Sequence, residues 1–355
     1  MTQVSKRSVR SRTKTWSSFG NLGRRPSEYE IVTHNMNHTY GGSAEPLEMG
    51  PNVNGNVWLR EHRDQRLFGV SDWNQFRDPD ELTYRKYCTL QDEQETYVDC
   101  LLRDFTDAKK SDAKLSTEAL NFLQLTMAPC RYLGHGEQML SAYIQQMAPS
   151  AYAGNCATFQ TADALRRVQR VAYRTKQLAN AYPGRGFGSS ERRMWEQEPD
   201  WQPVRKAIEL ALVEYDFDRA FVKFQLVLRP ILNNLFLNQF ADVAHTLGAE
   251  ADALISRNLY LDSQRANRWS IGLAQYVMNQ NPKGRDELRL VLADERAQAG
   301  ELIQVGARLL ARYATSDTAE HFSIRDGKGW FGKGRHIENS VADAISARVF
   351  GEWTA

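Results

Sequence analysis

Two short polar cassettes carry the clearest chemical signal in this chain. Asp163-Ala164-Leu165-Arg166-Arg167 and Asp262-Ser263-Gln264-Arg265-Ala266 share the pattern Asp-x-x-Arg, with the acids 99 residues apart (163 and 262). On a helix that spacing sets acid and base on one face. The same i, i+3 spacing serves metal sites in helical bundles, where Glu-x-x-His pairs on two helices and two further carboxylates hold two ions. No Glu stands three residues before any of the seven histidines: His34, His38, His62, His135, His245, His321 and His336. Only Asp242-Val243-Ala244-His245 has an acid at that spacing, and it reads as a polar helix end. Residues 219–241 contain no Asp or Glu, and residues 129–147 offer only Glu137. No residue of this chain is therefore assigned a catalytic, cofactor-binding or metal-binding role.

The elements that must position the cassettes are helical. From residue 80 onward the apolar spacing predicts helices near 80–108, 116–127, 129–147, 155–182, 203–215, 217–246, 250–280 and 285–313. Asp78-Pro79-Asp80-Glu81 reads as a start signal, and Pro149 and Pro183 as stops, because proline cannot continue the hydrogen-bond ladder. Phe217, Ala220, Phe221, Phe224 and Leu228 share one face, while Val222, Leu226 and Val227 make the other faces apolar too, which marks a buried central helix. Residues 1–77 read as an extended arm rich in aromatics, 78–315 as the helical domain, and 316–355 as a Gly-rich loop and tail. Disordered tails have few aromatics. The arm is therefore expected to lie along a partner, with Trp16, Tyr29, Trp58 and Trp73 as candidate anchors. The alternative is that these aromatics pack on the chain's own domain.

Composition excludes several classes. With 45 Lys and Arg against 43 Asp and Glu, the net charge of +2 gives no general drive toward nucleic acid or membrane. The basic first 25 residues, which carry no acid, are expected to be solvated or to dock on an acidic partner. The run 217–240 is interrupted by Arg219, Lys223, Arg229, Pro230 and Asn233, so no transmembrane span is expected. Cys88, Cys100, Cys130 and Cys156 include no Cys-x-x-Cys pair and are expected to be buried free thiols in a reducing compartment, the cytoplasm. Gly327-Lys328-Gly329-Trp330-Phe331-Gly332 lacks the preceding apolar strand of a dinucleotide site and reads as a loop.

Several stretches together resemble one family. They are Arg25-Pro26-Ser27-Glu28-Tyr29-Glu30-Ile31-Val32, Asp78-Pro79-Asp80-Glu81-Leu82-Thr83-Tyr84-Arg85, Gln91-Asp92-Glu93-Gln94-Glu95, the run from Ser141 to Pro149, Gln160-Thr161-Ala162-Asp163, and Arg268-Trp269-Ser270. In this order they resemble the β (small) subunit of the hydroxylase component of bacterial toluene, alkene and isoprene monooxygenases. That family writes its metal-binding pair inside Asp-Glu-x-Arg-His. Against that pattern, this chain keeps Asp163, Arg166, Asp262 and Arg265, and has Ala164 and Ser263 in place of Glu, Arg167 and Ala266 in place of His. The cassettes look like the relic of a metal site. The resemblance implies an all-α, ferritin-like bundle with a long N-terminal arm and a structural, non-catalytic role. It also implies hydroxylase α and γ subunits as partners, with the di-iron centre in α, and a second β subunit in a dimer of trimers. NADH-derived electrons, a Rieske ferredoxin and an effector protein would serve the assembled enzyme. Two other readings stay open: a catalytic di-iron subunit, or a helical adaptor unrelated to oxygenases. Whether the cassettes are buried bridges or ordinary exposed pairs also stays open.

Overall fold

A computed structural model describes residue 19 and residues 22–34, 52, 54–65, 68–280 and 282–313. Among these the fold is helical throughout, with no strand. The helices are α1 (Glu28–Thr33), α2 (Asn54–Leu59), α3 (Tyr84–Leu102), α4 (Thr117–Phe122), α5 (Cys130–Met147), α6 (Ala151–Ala181), α7 (Glu191–Gln197), α8 (Gln202–Leu212), α9 (Phe217–Thr246), α10 (Glu250–Gln280), α11 (Pro282–Gln298) and α12 (Gly300–Ala311). Trp16 and the Gly-rich sequence at 327–332 lie outside the described residues.

The expected stops hold. α5 ends at Met147, two residues before Pro149, and Ser150 caps α6 by accepting from the Ala153 N–H. α6 ends at Ala181, ahead of Pro183, and the loop beyond it turns through Gly184, Gly186 and Gly188 at positive φ (85°, 90° and 84°). The start near residue 80 does not hold. The Asp78 carboxylate accepts from the N–H groups of Asp80 and Leu82 and so holds a turn, and α3 begins only after Thr83, whose hydroxyl accepts from the Lys86 N–H. The single helix expected over 285–313 is two, broken at Ala299 before Gly300.

α5 and α6 pack along most of their length, and α10 lies against α6 and α9. The approach of α5 to its neighbours depends on glycine. A Cβ on Gly136 would sit 2.5 Å from Ile208 of α8, and one on Gly134 would sit 3.0 Å from Val168 of α6. α9 is the central helix. Its run is long and apolar enough to cross a membrane by length and composition, and 83% of that window is buried inside the chain. It is not a regular α-helix. Phe221–Leu228 and Asn234–Gln239 widen to π geometry around Arg229–Asn233. Pro230 has no N–H to give the ladder, and the wider turn before it relieves the clash of its ring with the preceding carbonyls.

The described part of the arm does not lie apart from the helices. Tyr29, Phe68, Trp73 and Phe76 are each 6% exposed or less and belong to the main core. Tyr29 accepts from the Asp78 N–H through its hydroxyl, and Trp73 meets Phe217 edge-on at 6.1 Å. Tyr29 and Trp73 are therefore corrected as partner anchors, because their rings are already inside this chain. Trp58 is half-buried, with its indole N–H donating to the Tyr143 hydroxyl and its ring 5.0 Å from Tyr215.

Glu30 ties the arm down electrostatically. It completes a capping box with Ser27 and pairs with Arg24 at 2.8 Å and Arg77 at 2.9 Å. The Arg24 guanidinium first, then the Ser27 N–H and Arg77, hold its carboxyl down to about 2, against an ordinary 4.5. A depressed carboxyl stabilises the fold above its unfolded value, and that stability is lost as pH falls toward the folded one. Hydrogen exchange should show α1 losing protection between pH 4.5 and about 2. Loss already above pH 5, or protection intact below pH 2, would contradict this.

Candidate functional site

Both cassettes are buried and face each other. Asp163, Ala164, Arg166 and Arg167 of α6 and Asp262, Ser263, Arg265 and Ala266 of α10 are each 9% exposed or less. The ion pairs cross between the helices: Arg265 reaches Asp163 at 2.5 Å and Arg166 reaches Asp262 at 2.7 Å. The within-helix contact expected from i, i+3 spacing exists only for Arg265 and Asp262, at 3.2 Å. Two extended helices crossing in the core bring partners closer across the gap than along either one.

α3 seals the cluster from outside. The Tyr87 hydroxyl donates to Asp163 at 3.0 Å, and the Gln91 amide donates to both Asp163 and Asp262, at 2.9 Å each. Arg166 also donates to Glu95 at 2.5 Å and to Asn258 at 2.6 Å. Burial, then the nearby Asp262, pushes the Asp163 carboxyl up, against the pull of Arg265. Burial opposes the Arg265 charge, but Asp163 and Asp262 outweigh it and hold that guanidinium above its ordinary value.

A second layer lies deeper. Arg167 donates to Glu137 of α5 at 3.0 Å and to Asn233 of α9 at 2.5 Å. Arg229 enters from α9, just after its first widened stretch, and donates to the Gln225 amide oxygen at 2.8 Å. Burial pushes the Glu137 carboxyl up and the Arg229 guanidinium down, to about 10. A cavity of about 30 Å³ sits among these side chains, between α5, α6, α9 and α10.

This arrangement does not fit an iron centre. The carboxylates lining the cavity are Glu137, Asp163 and Asp262, and each already holds an arginine. No histidine lines it, and no cluster of His, Cys, Asp or Glu among the described residues could hold a metal ion. Asp242 and His245 go to separate partners, Arg257 and Glu250.

Sequence reasoning missed the extent of the stripe. Arg170 of α6 pairs with Glu95 and Asp99, and Arg174 takes Asp112 at 2.6 Å and Asp252 at 2.8 Å, both buried. Positions 163, 166, 167, 170 and 174 share one helix face, so the repeating arginines were a visible signal. The cysteines divide: Cys130 and Cys156 are buried, as expected of all four, but Cys88 and Cys100 are exposed because they lie on the outer side of α3. Burial pushes the Cys130 thiol up to about 12, which keeps it inert at neutral pH.

A family profile described as methane/phenol/alkene hydroxylase matches residues 58–281. The chain belongs to this family. Among curated relatives, it is 33% identical over 317 residues to the β subunit of the hydroxylase component of the toluene-4-monooxygenase system of Ectopseudomonas mendocina, covering 88% of this chain and 96% of that one. It is 24% identical over 222 residues to the small subunit of the hydroxylase component of propane 2-monooxygenase of Gordonia sp. (strain TY-5), covering 62% and 60%. The solved structure of toluene 4-monooxygenase with toluene bound in its resting active site superposes with a TM-score of 0.79 at 32% identity, over 84% of this chain and 97% of that one. Phenol hydroxylase from Pseudomonas sp. OX1 shares the fold, with a TM-score of 0.76 at 16% identity over 98% and 97%. The chain shares the ferritin-like frame of the hydroxylase family.

Proposed function

We propose that this chain is the non-catalytic β subunit of the hydroxylase component of a multicomponent monooxygenase. The observation that carries this is the Arg167–Glu137 pair. Where a bundle of this frame would gather ligands around metal, this chain places a guanidinium 3.0 Å from the carboxylate that α5 contributes. The eight cassette residues are then relics of a metal site, converted to a charge lock between α6 and α10. The toluene and propane monooxygenase relatives, themselves β or small hydroxylase subunits, support the same assignment.

Oxygen chemistry in this reading belongs to a homologous α subunit that holds the di-iron centre. The complex oxygenates an aromatic or alkene hydrocarbon in the cytoplasm, with electrons from NADH. A γ subunit, a second β subunit, a Rieske ferredoxin and an effector protein complete the assembly. The arm, 1–77, is proposed to contribute to docking through Trp58, which lies against the partly exposed Tyr215, and through Trp16. The full chain purified alone should hold no iron and turn over no hydrocarbon, and co-expression with α and γ should restore turnover. Two iron atoms per β chain in the absence of α would overturn the assignment.

A further inference from the structure

The cavity between Arg167 and Arg229 is surrounded by more buried positive charge than negative. Arg166, Arg167, Arg229 and Arg265 are all buried, and so are Glu137, Asp163 and Asp262. Each of these carboxylates is taken: Asp262 by Arg166, Asp163 by Arg265, Glu137 by Arg167. Glu95, the remaining acid in reach, is partly exposed and shared by Arg166 and Arg170. Arg229 is left with neutral oxygens only: Gln225 Oε1 at 2.8 Å and the backbone carbonyls of Ser263 at 3.3 Å and Gln225 at 3.2 Å, with Ser270 Oγ at 3.3 Å. It is 2% exposed and has no carboxylate partner among the described residues.

Polar atoms of the lining residues are also unspent. Arg167 Nε and Nη2 and Ser263 Oγ are buried with no nitrogen or oxygen partner among the described residues. Arg167, Arg229 and Ser263 all line the cavity of about 30 Å³. That volume admits one or two particles of water size, which suits a monatomic ion and not a tetrahedral oxyanion. A buried guanidinium without a counter-charge is strongly destabilising. A water molecule could satisfy the spare donors but would bring no counter-charge to Arg229, for which the attraction of Glu137 and Asp163 does not offset burial. We propose that this cavity binds a single halide-sized monovalent anion, chloride under ordinary conditions, held by Arg229, Arg167 and Ser263. Glu137, whose Oε1 is also without a partner among the described residues, lines the same cavity. Burial pushes the Glu137 carboxyl up, against the pull of Arg167 and Arg229. Where the frame once gathered acids around cations, the arginines have inverted the site's preference. The proposal rests on this chain's own residues and does not depend on the subunit assignment.

The test uses bromide, which scatters anomalously, in crystals of the assembled hydroxylase, together with thermal unfolding of the full chain in chloride, bromide or gluconate at equal ionic strength. The expected result is a bromide peak touching Arg229 and Arg167, and a melting midpoint a few degrees higher in either halide than in gluconate. Arg229→Met keeps the apolar stem and removes the charge. It should abolish the peak and weaken halide affinity by about tenfold or more. Bromide only at surface arginines would mean an adventitious ion only and would overturn the proposal, as would midpoints that do not distinguish halide from gluconate. If Arg229→Met does not fold, the diffraction and the halide titration of the unaltered protein still decide.

Discussion

Asp163→Ala is expected to destabilise the chain by about 3–5 kcal/mol, the cost of removing one partner from a buried ion pair. The cation that loses its short partner is Arg265, on the facing helix, and not Arg166 of its own cassette, because the pairs cross from α6 to α10; Arg265 keeps only the longer 3.2 Å contact with Asp262. The Tyr87 hydroxyl and the Gln91 amide lose their acceptor as well. Removing the whole lock should cost far less. A variant carrying Asp163→Leu, Arg166→Met, Asp262→Leu and Arg265→Met removes both crossed pairs together and strands no member of either, and apolar replacements of like volume can be neutral or stabilising. Denaturant unfolding of the single and quadruple variants separates the two effects. A single variant as stable as the parent would show that the crossed pairs contribute nothing, and a quadruple variant worse than the single one would show that charge is needed there.

A chain starting at Asp78 should fail to fold. It lacks Tyr29, Phe68, Trp73 and Phe76, all part of the main core. Deleting one buried large aromatic side chain costs about 3–5 kcal/mol, and whole-domain stability is only about 5–15 kcal/mol. The truncated chain should therefore appear in inclusion bodies or lack a cooperative melt, before any question of assembly arises. A soluble truncated chain with a sharp transition would instead restore the arm to the role of a detachable strap. Trp58→Ala separates folding from docking. Its ring is only half-buried, so the variant should fold yet lose co-purification with its partner subunits if Trp58 is the anchor proposed above.

Local chemistry was written in the sequence itself. The all-α class, the stops before Pro149 and Pro183, and the burial of the helix from Phe217 follow from 3.6-residue periodicity and from proline's missing donor. The lack of acids in residues 219–241 was equally legible, since folding cannot supply a residue type that a segment does not contain. What only the tertiary structure decided is who meets whom. Spacing placed Asp163 and Arg166 on one face, but whether they bond to each other or across to Arg265 and Asp262 depends on how closely α6 and α10 approach. The arm's aromatics looked available to a partner because their burial comes from residues far along the chain, Tyr152, Phe217 and Tyr276. The surplus charge at Arg229 is of the same kind. In sequence it is one arginine in an apolar run, and only the packing of α5, α6, α9 and α10 around it gives the nearby carboxylates to other arginines and leaves that cation with no ion-pair partner among the described residues.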